Sequence, residues 1–251
     1  MNFDEFGRFD LHLHTRFSDG KNTPEEMVQA ALAHGLNTIG FSDHSYTSHD
    51  TSYCLPKERI GDYLAEISRL KEKYAGKIRI LCGIEQDLYG DFPTDCFDYC
   101  IGSVHYVEKD GLRMDVDHSP ARFAAYVAQQ FGGDHIAFAE AYFENVGKAA
   151  EKIRPDIVGH FDLVSKFNEG EKLFDESNPR YIAAWKKAAD RALVHCRVFE
   201  CNTGAIARGY RTSPYPSAPI REYLRSRGAR LILSSDAHKA GNIAFQFDKW
   251  Q

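Results

Sequence analysis

Seven short apolar runs, rich in β-branched residues, most constrain the fold of this 251-residue chain. Such runs are typical of parallel strands, because a parallel sheet is covered by helices on both faces. We predict strands at residues 8–14, 38–42, 78–85, 99–105, 157–160, 198–202 and 230–235. The predicted strands are separated by longer stretches that alternate polar and apolar residues.

The intervening stretches predict helices. Thr23 followed by Pro24 is a typical helix start, and Gly35 is a typical helix end. The predicted helices cover residues 24–34, 56–74, 179–193 and 217–226, and two more lie within 120–152, broken near Gly132 and Gly133. Regular alternation of strand and helix predicts an α/β fold with a parallel sheet, in a single domain over residues 1–251.

Histidine and acidic side chains stand at or just after the ends of most predicted strands. They are His12, His14, Asp19, His44, Glu85, His105, His160, Asp236 and His238. The carboxyl ends of all strands meet on one face of a barrel, whereas an open doubly wound sheet would concentrate such residues at one switch point. The pattern therefore favours a TIM-like barrel of about seven strands with its site on the C-terminal face.

The spacing and surroundings of these residues indicate a metal site. His12 and His14 are two residues apart, so they point to the same side of an extended strand. Glu85 ends a strongly apolar run, where a carboxylate must be paired, protonated or bound to a metal. Core histidines are the alternative for any one position. Imidazole and carboxylate ligands together suit Zn, Mn or Fe, and do not choose among them.

Three cationic residues are candidates for contact with a substrate phosphate. Arg208 and Arg211 follow the strand predicted at 198–202, and Lys166 follows the one at 157–160. A guanidinium fork matches phosphate oxygens, although each of these residues could equally be a solvated loop charge. Asp10 precedes His12 and either hydrogen-bonds a ligand or forms a turn.

Composition narrows the class of protein and its location. The net charge of −5 disfavours nucleic acid as the main partner, and no apolar run reaches the length of a membrane span. The six cysteines form no Cys-x-x-Cys pair, and the N-terminus has no apolar signal segment. We therefore expect a cytoplasmic protein with reduced thiols. The oligomeric state stays open.

The motifs run in a distinctive order along the chain. They are His-x-His at His12 and His14, Ser-Asp-Gly at Asp19, Asp-His at His44, Gly-x-Glu at Glu85, Ser-Val-His at His105, Gly-His at His160 and Ser-Asp-Ala-His ending at His238. Over residues 10–238 this order resembles the polymerase-and-histidinol-phosphatase (PHP) superfamily of metal-dependent phosphoesterases. The segments at 102–106, 159–164, 200–204 and 215–217 are most similar to its histidinol-phosphatase branch.

The resemblance implies a distorted (β/α)7 barrel and three divalent ions. One ion would be held by His12, His14, Glu85 and Asp236, a second by Glu85, His105 and His160, and a third by Asp19, His44 and His238. It also implies hydrolysis of a small phosphomonoester, histidinol phosphate, by a metal-bridging hydroxide. The alternatives are phosphotyrosine or nucleotide substrates, or a non-catalytic metal-binding domain.

Two departures from the family pattern matter. Asn202-Thr203 is followed by Gly204, where the family has serine, and the spacing to the following arginine is changed. Whether Arg208 or Arg211 meets the phosphate therefore stays open. Residues 108–143 match no family motif and could form a segment that covers the substrate.

Overall fold

Seven parallel strands form one sheet in the computed structural model, which describes residues 1–250. They are β1 (Phe9–Asp10), β2 (Thr38–Phe41), β3 (Arg79–Asp87), β4 (Tyr99–Ser103), β7 (Ile157–Val158), β8 (Val198–Asn202) and β9 (Arg230–Ser234), in that order across the sheet. β5 (Tyr106–Lys109) and β6 (Leu112–Asp115) form a separate hairpin. A parallel bridge between Leu13 and Ala237 nearly closes the sheet into the predicted barrel.

The first strand is shorter than the sequence predicts. Ladder pairing covers Phe9–Asp10 and resumes only at Leu13. Between them, the Asp10 carboxylate accepts the His12 amide at 3.4 Å. Such a local side-chain bond offers the backbone an alternative to the strand ladder, so the pairing of β1 with β2 stops at Asp10.

Six of the eight helices lie where the sequence predicts them. The eight helices are α1 (Pro24–Ala33), α2 (Ile60–Lys73), α3 (Pro120–Phe131), α4 (His135–Ile153), α5 (Pro179–Leu193), α6 (Gly204–Ala207), α7 (Ala218–Ser226) and α8 (Phe247–Trp250). The four-residue helices α6 and α8 were not predicted from the sequence. Thr23 and Glu26 form a capping box at the start of α1. No helix within residues 1–250 is long and apolar enough to cross a membrane.

Tyr99 occupies the interior of the barrel. Tyr99 is the first residue of β4. Its hydroxyl donates to the carbonyl oxygen of Leu11, just after β1, at 2.6 Å and to that of Phe41, the last residue of β2, at 3.1 Å. A Cβ atom would lie 2.3 Å from the Tyr99 hydroxyl oxygen at Gly40 and 2.3 Å from the Tyr99 ring at Gly83, so both positions need glycine. The Tyr99 side chain thus fills the barrel below the carboxyl ends of the strands, so those ends are free to form the site.

The β5–β6 hairpin is a further element that was not predicted from the sequence. Asp110 and Gly111 both have positive φ, at 51° and 78°, as a two-residue type I′ turn requires. The Asp-Gly pair between two partly apolar runs is a recognisable hairpin signal. The hairpin follows β4 directly and therefore stands beside the carboxyl ends of the strands.

Candidate metal centre

The nine predicted ligands lie together at the carboxyl ends of the strands. Seven are buried, with exposures of 8% or less: His12, His14, His44, Glu85, His105, His160 and Asp236. The side chains of Asp19 and His238 are 32% and 23% exposed. The centre therefore has a closed floor and an open edge at these last two residues.

Glu85 is the central residue. Its Oε2 atom lies 2.9 Å from His44 Nδ1, 3.3 Å from His12 Nε2 and 3.6 Å from His14 Nε2. Its Oε1 atom lies 3.0 Å from the Nε2 atom of His160. Each carboxylate oxygen therefore faces a different group of imidazoles, as a ligand shared between two cations would.

Asp236 and Asp19 complete the arrangement on either side of His14. Asp236 Oδ1 is 3.3 Å from His14 Nε2, and Asp19 Oδ2 is 3.2 Å from His238 Nε2. The structure contains three overlapping groups able to hold a cation: His12, His14 and Asp236; His44, Glu85 and His105; and His14, Asp19, His44 and His238. The first group lacks only Glu85 from its predicted set. The second contains His44 in place of His160, and the third contains His14 in addition to its predicted residues.

Charge at the centre favours the ionised carboxylates. Although burial opposes it, the imidazoles of His12 and His44 hold the pKa of Glu85 well below its usual range. Burial, together with the charges of His238 and His44, lowers the pKa of His14 to about 3. His14 is therefore neutral near pH 7 and has a lone pair on one ring nitrogen, which is the state that binds a metal.

The donor atoms fit divalent ions. His12 Nε2 and both ring nitrogens of His14 are buried without hydrogen-bond partners. Unpaired buried polar atoms are costly, and native proteins rarely leave several together. These nitrogens and the neighbouring carboxylate oxygens point to common centres at 3.3–3.8 Å separations, too long for most hydrogen bonds. A cation between them would satisfy both sets.

Carboxylates that are not among the nine predicted ligands accept hydrogen bonds from the backbone amides of ligand residues. Asp87 accepts the His105 amide at 2.9 Å, and Glu200 accepts the His160 amide at 2.8 Å. These bonds end β4 and β7 before the predicted boundaries, because each amide leaves its strand ladder. Asp10 has a similar role: it accepts from the amides of Ser235 and Ala244 and contacts no ligand imidazole.

The structure separates the three candidate cations. Arg208 lies on the cavity lining, where its Nη2 atom is 2.9 Å from Asp236 Oδ2. Lys166 also lines the cavity and pairs with Asp117 at 3.1 Å. Arg211 does not line the cavity. It is buried, and its guanidinium donates to Ser165. Its Nη1 atom is held by Ser165, whereas its Nε atom is buried without a hydrogen-bond partner. Of the two arginines, Arg208 alone lines the cavity, so the geometry favours Arg208 for a phosphate contact.

A cavity of about 730 Å³ opens over the centre. Residues from the hairpin and the segment after it line one part of it, including Tyr106, Asp115 and Asp117. Asp50 and Tyr53, from the loop after β2, line it as well. Its volume suits a small organic molecule. Of the segment 108–143, which the sequence suggests as a cover for the substrate, Asp115, Asp117 and His118 line the cavity.

Comparison with known proteins agrees with this geometry. A curated Deinococcus radiodurans relative named "Probable histidinol-phosphatase" is 30% identical, over 96% of this chain and 90% of the relative. The crystal structure of the Listeria monocytogenes hisK protein has a TM-score of 0.83 at 20% identity, covering 97% of this chain and all of that one.

The structure of histidinol phosphate phosphatase from Lactococcus lactis, complexed with zinc, L-histidinol and phosphate, has a TM-score of 0.63. Its identity is 21%, over 93% of this chain and 87% of that chain. The family description "PHP domain" matches residues 10–204, which include five of the seven barrel strands in full and seven of the nine proposed ligands. The chain therefore belongs to the PHP domain family.

Proposed function

We propose that the chain is a metal-dependent phosphomonoesterase that hydrolyses L-histidinol phosphate to L-histidinol and phosphate. The observation that carries the proposal is the convergence of nine candidate ligands beneath one small-molecule cavity, eight in the three cation-holding groups and His160 through its contact with Glu85. Curated relatives with histidinol-phosphatase names span nearly the whole chain, which supports this substrate.

The nine side chains would hold three divalent ions. His12, His14, Glu85 and Asp236 would bind one, Glu85, His105 and His160 a second, and Asp19, His44 and His238 a third. When bound, such ions lower the pKa of coordinated water and neutralise charge on phosphoryl oxygens. The chain's part is to keep its carboxylates ionised and its imidazoles oriented. Mixed nitrogen and oxygen ligands suit Zn, Mn or Fe.

Arg208 would bind the substrate phosphate. Its Nε atom is buried without a hydrogen-bond partner, and the side chain lines the cavity beside Asp236. A guanidinium there can donate to a phosphoryl oxygen while it retains its contact with Asp236. Lys166 adds a second positive charge on the same lining, although its ammonium group is shared with Asp117.

Arg208→Ala is expected to raise the KM for histidinol phosphate by about tenfold or more, the effect of losing one charged hydrogen bond. Steady-state kinetics on the metal-loaded protein would measure this. Arg211→Ala is the matched comparison: it should lower the melting temperature, because it removes a buried cation bonded to Ser165. An unchanged KM in Arg208→Ala would place the phosphate contact elsewhere.

The acidic part of the cavity suits the other end of the substrate. Histidinol carries a primary amine, which is protonated at neutral pH. Asp115 lines the cavity with its Oδ1 atom buried and unpartnered, while its Oδ2 atom is 2.7 Å from Arg122 Nη2. Oδ1 is therefore available to accept from a cationic group of the substrate.

Asp115→Asn is expected to raise the KM for histidinol phosphate about tenfold. The KM for p-nitrophenyl phosphate should change by less than about twofold, because this ester has no amine and therefore loses no charged contact with Asp115. Glu108→Gln is the control: Glu108 lies on the same hairpin but pairs outward with Arg113. Equal changes for both esters would contradict a role for Asp115 in amine recognition.

The substrate itself is tested by phosphate release from histidinol phosphate, O-phosphotyrosine, AMP and p-nitrophenyl phosphate. We expect kcat/KM to be highest for histidinol phosphate, because it alone combines a phosphate monoester with an amine and an imidazole. A preference for phosphotyrosine or AMP would be consistent with the proposed metal centre and would contradict histidinol phosphate as the substrate. No release from any ester by metal-loaded protein would refute the enzymatic proposal.

A further inference from the structure

Glu200 is a fully buried carboxylate that joins three strand ends. It lies on β8 with 1% exposure. Its Oε1 atom is 2.6 Å from His12 Nδ1, and its Oε2 atom accepts from the His160 amide at 2.8 Å and from Asn202 Nδ2 at 3.0 Å. The two ligand-bearing segments of His12 and His160 therefore meet on one side chain that is not itself among the nine ligands.

We infer that Glu200 is the positioning residue that orients His12 for metal binding, an inference that rests on the proposed function. A carboxylate oxygen at Nδ1 requires this nitrogen to carry a proton. In the neutral imidazole that binds a metal, the lone pair is then on Nε2. This atom lies 3.3 Å from Glu85 Oε2 and 3.8 Å from Asp236 Oδ1. A hydrogen bond of this kind fixes both the tautomer and the ring orientation of a metal-bound histidine.

The surroundings of Glu200 accept a carboxylate and reject an amide. Oε2 faces two donors, since the oxygen of Asn202 is already bonded to the Gly204 amide at 2.9 Å. A glutamine whose oxygen faced His12 would direct its NH₂ group at the His160 amide and at the Asn202 amide nitrogen. The flipped glutamine would donate to His12 Nδ1 and force the proton onto Nε2, where the metal must bind.

Glu200→Gln should therefore weaken metal binding although it is nearly isosteric. We expect the Kd for Mn²⁺ alone, measured by competition with a chelator and without substrate, to rise at least about tenfold for the weakened site. Asp156→Asn is the matched control. Asp156 accepts the Cys100 amide at 2.9 Å at the opposite end of the barrel, and asparagine can keep that bond.

A rise in Kd below tenfold in Glu200→Gln, or an equal rise in Asp156→Asn, would overturn the inference. The melting temperature of the metal-free variant shows whether it folds. A second measurement needs no variant: in the zinc-loaded protein, ¹⁵N NMR should show the His12 proton on Nδ1, and a proton on Nε2 would overturn the inference. Neither readout uses substrate, so failure of the histidinol phosphate assay would count against the proposed function alone.

Discussion

Glu85→Ala is expected to lower kcat for histidinol phosphate by at least about 10³-fold, the upper range for loss of one preorganised electrostatic contact. The reason is that both oxygens of Glu85 face ligand imidazoles, at 2.9 Å for His44 and 3.0 Å for His160. One substitution therefore removes a shared ligand from two of the proposed metal positions. Single-turnover and steady-state rates at saturating Mn²⁺ would measure the loss.

Glu85→Gln controls for the cavity that alanine leaves. It keeps the side-chain volume but removes the charge, so its activity should fall nearly as far. Circular dichroism and the melting temperature should show that both variants remain folded. Activity within about tenfold of the unsubstituted protein in both variants would show that Glu85 is not a shared ligand.

Removal of metal is expected to abolish phosphate release completely and reversibly. Without cations, the Nε2 atom of His12 and both ring nitrogens of His14 are buried without partners. Ions at 100 times their Kd would stabilise the fold by about 2.7 kcal/mol. That energy corresponds to roughly 5–10 °C in melting temperature for a chain of this size.

The measurement is activity and thermal unfolding after chelation, then after addition of Mn²⁺ or Zn²⁺. Both properties should return together, because the same side chains hold the ions and shape the cavity floor. Full activity in protein shown by elemental analysis to be metal-free would contradict the metal mechanism.

The barrel and the clustering of the nine candidate ligands at its carboxyl end could be predicted because two local signals coincide. Apolar β-branched runs mark parallel strands, and the residues that end those runs meet on one face whatever the details of packing. His12 and His14 illustrate this: they lie at the site although β1 ends earlier than predicted, at Asp10.

The supporting carboxylates could not be predicted from local patterns. Glu200 lies within a strand, and its partners His12 and His160 are 188 and 40 residues away in sequence. Only closure of the barrel makes those contacts. The choice between Arg208 and Arg211 depends in the same way on the short helix α6, whose end directs Arg208 to Asp236 while Arg211 turns back to Ser165.

The most direct test of the account is the number of metal ions bound per chain. Protein purified without chelator and reconstituted with Mn²⁺ or Zn²⁺ would be analysed by inductively coupled plasma mass spectrometry against its protein concentration. The account predicts three ions per chain, one for each of the overlapping ligand groups. A value of one or fewer, in protein that releases phosphate from histidinol phosphate at its full rate, would contradict it.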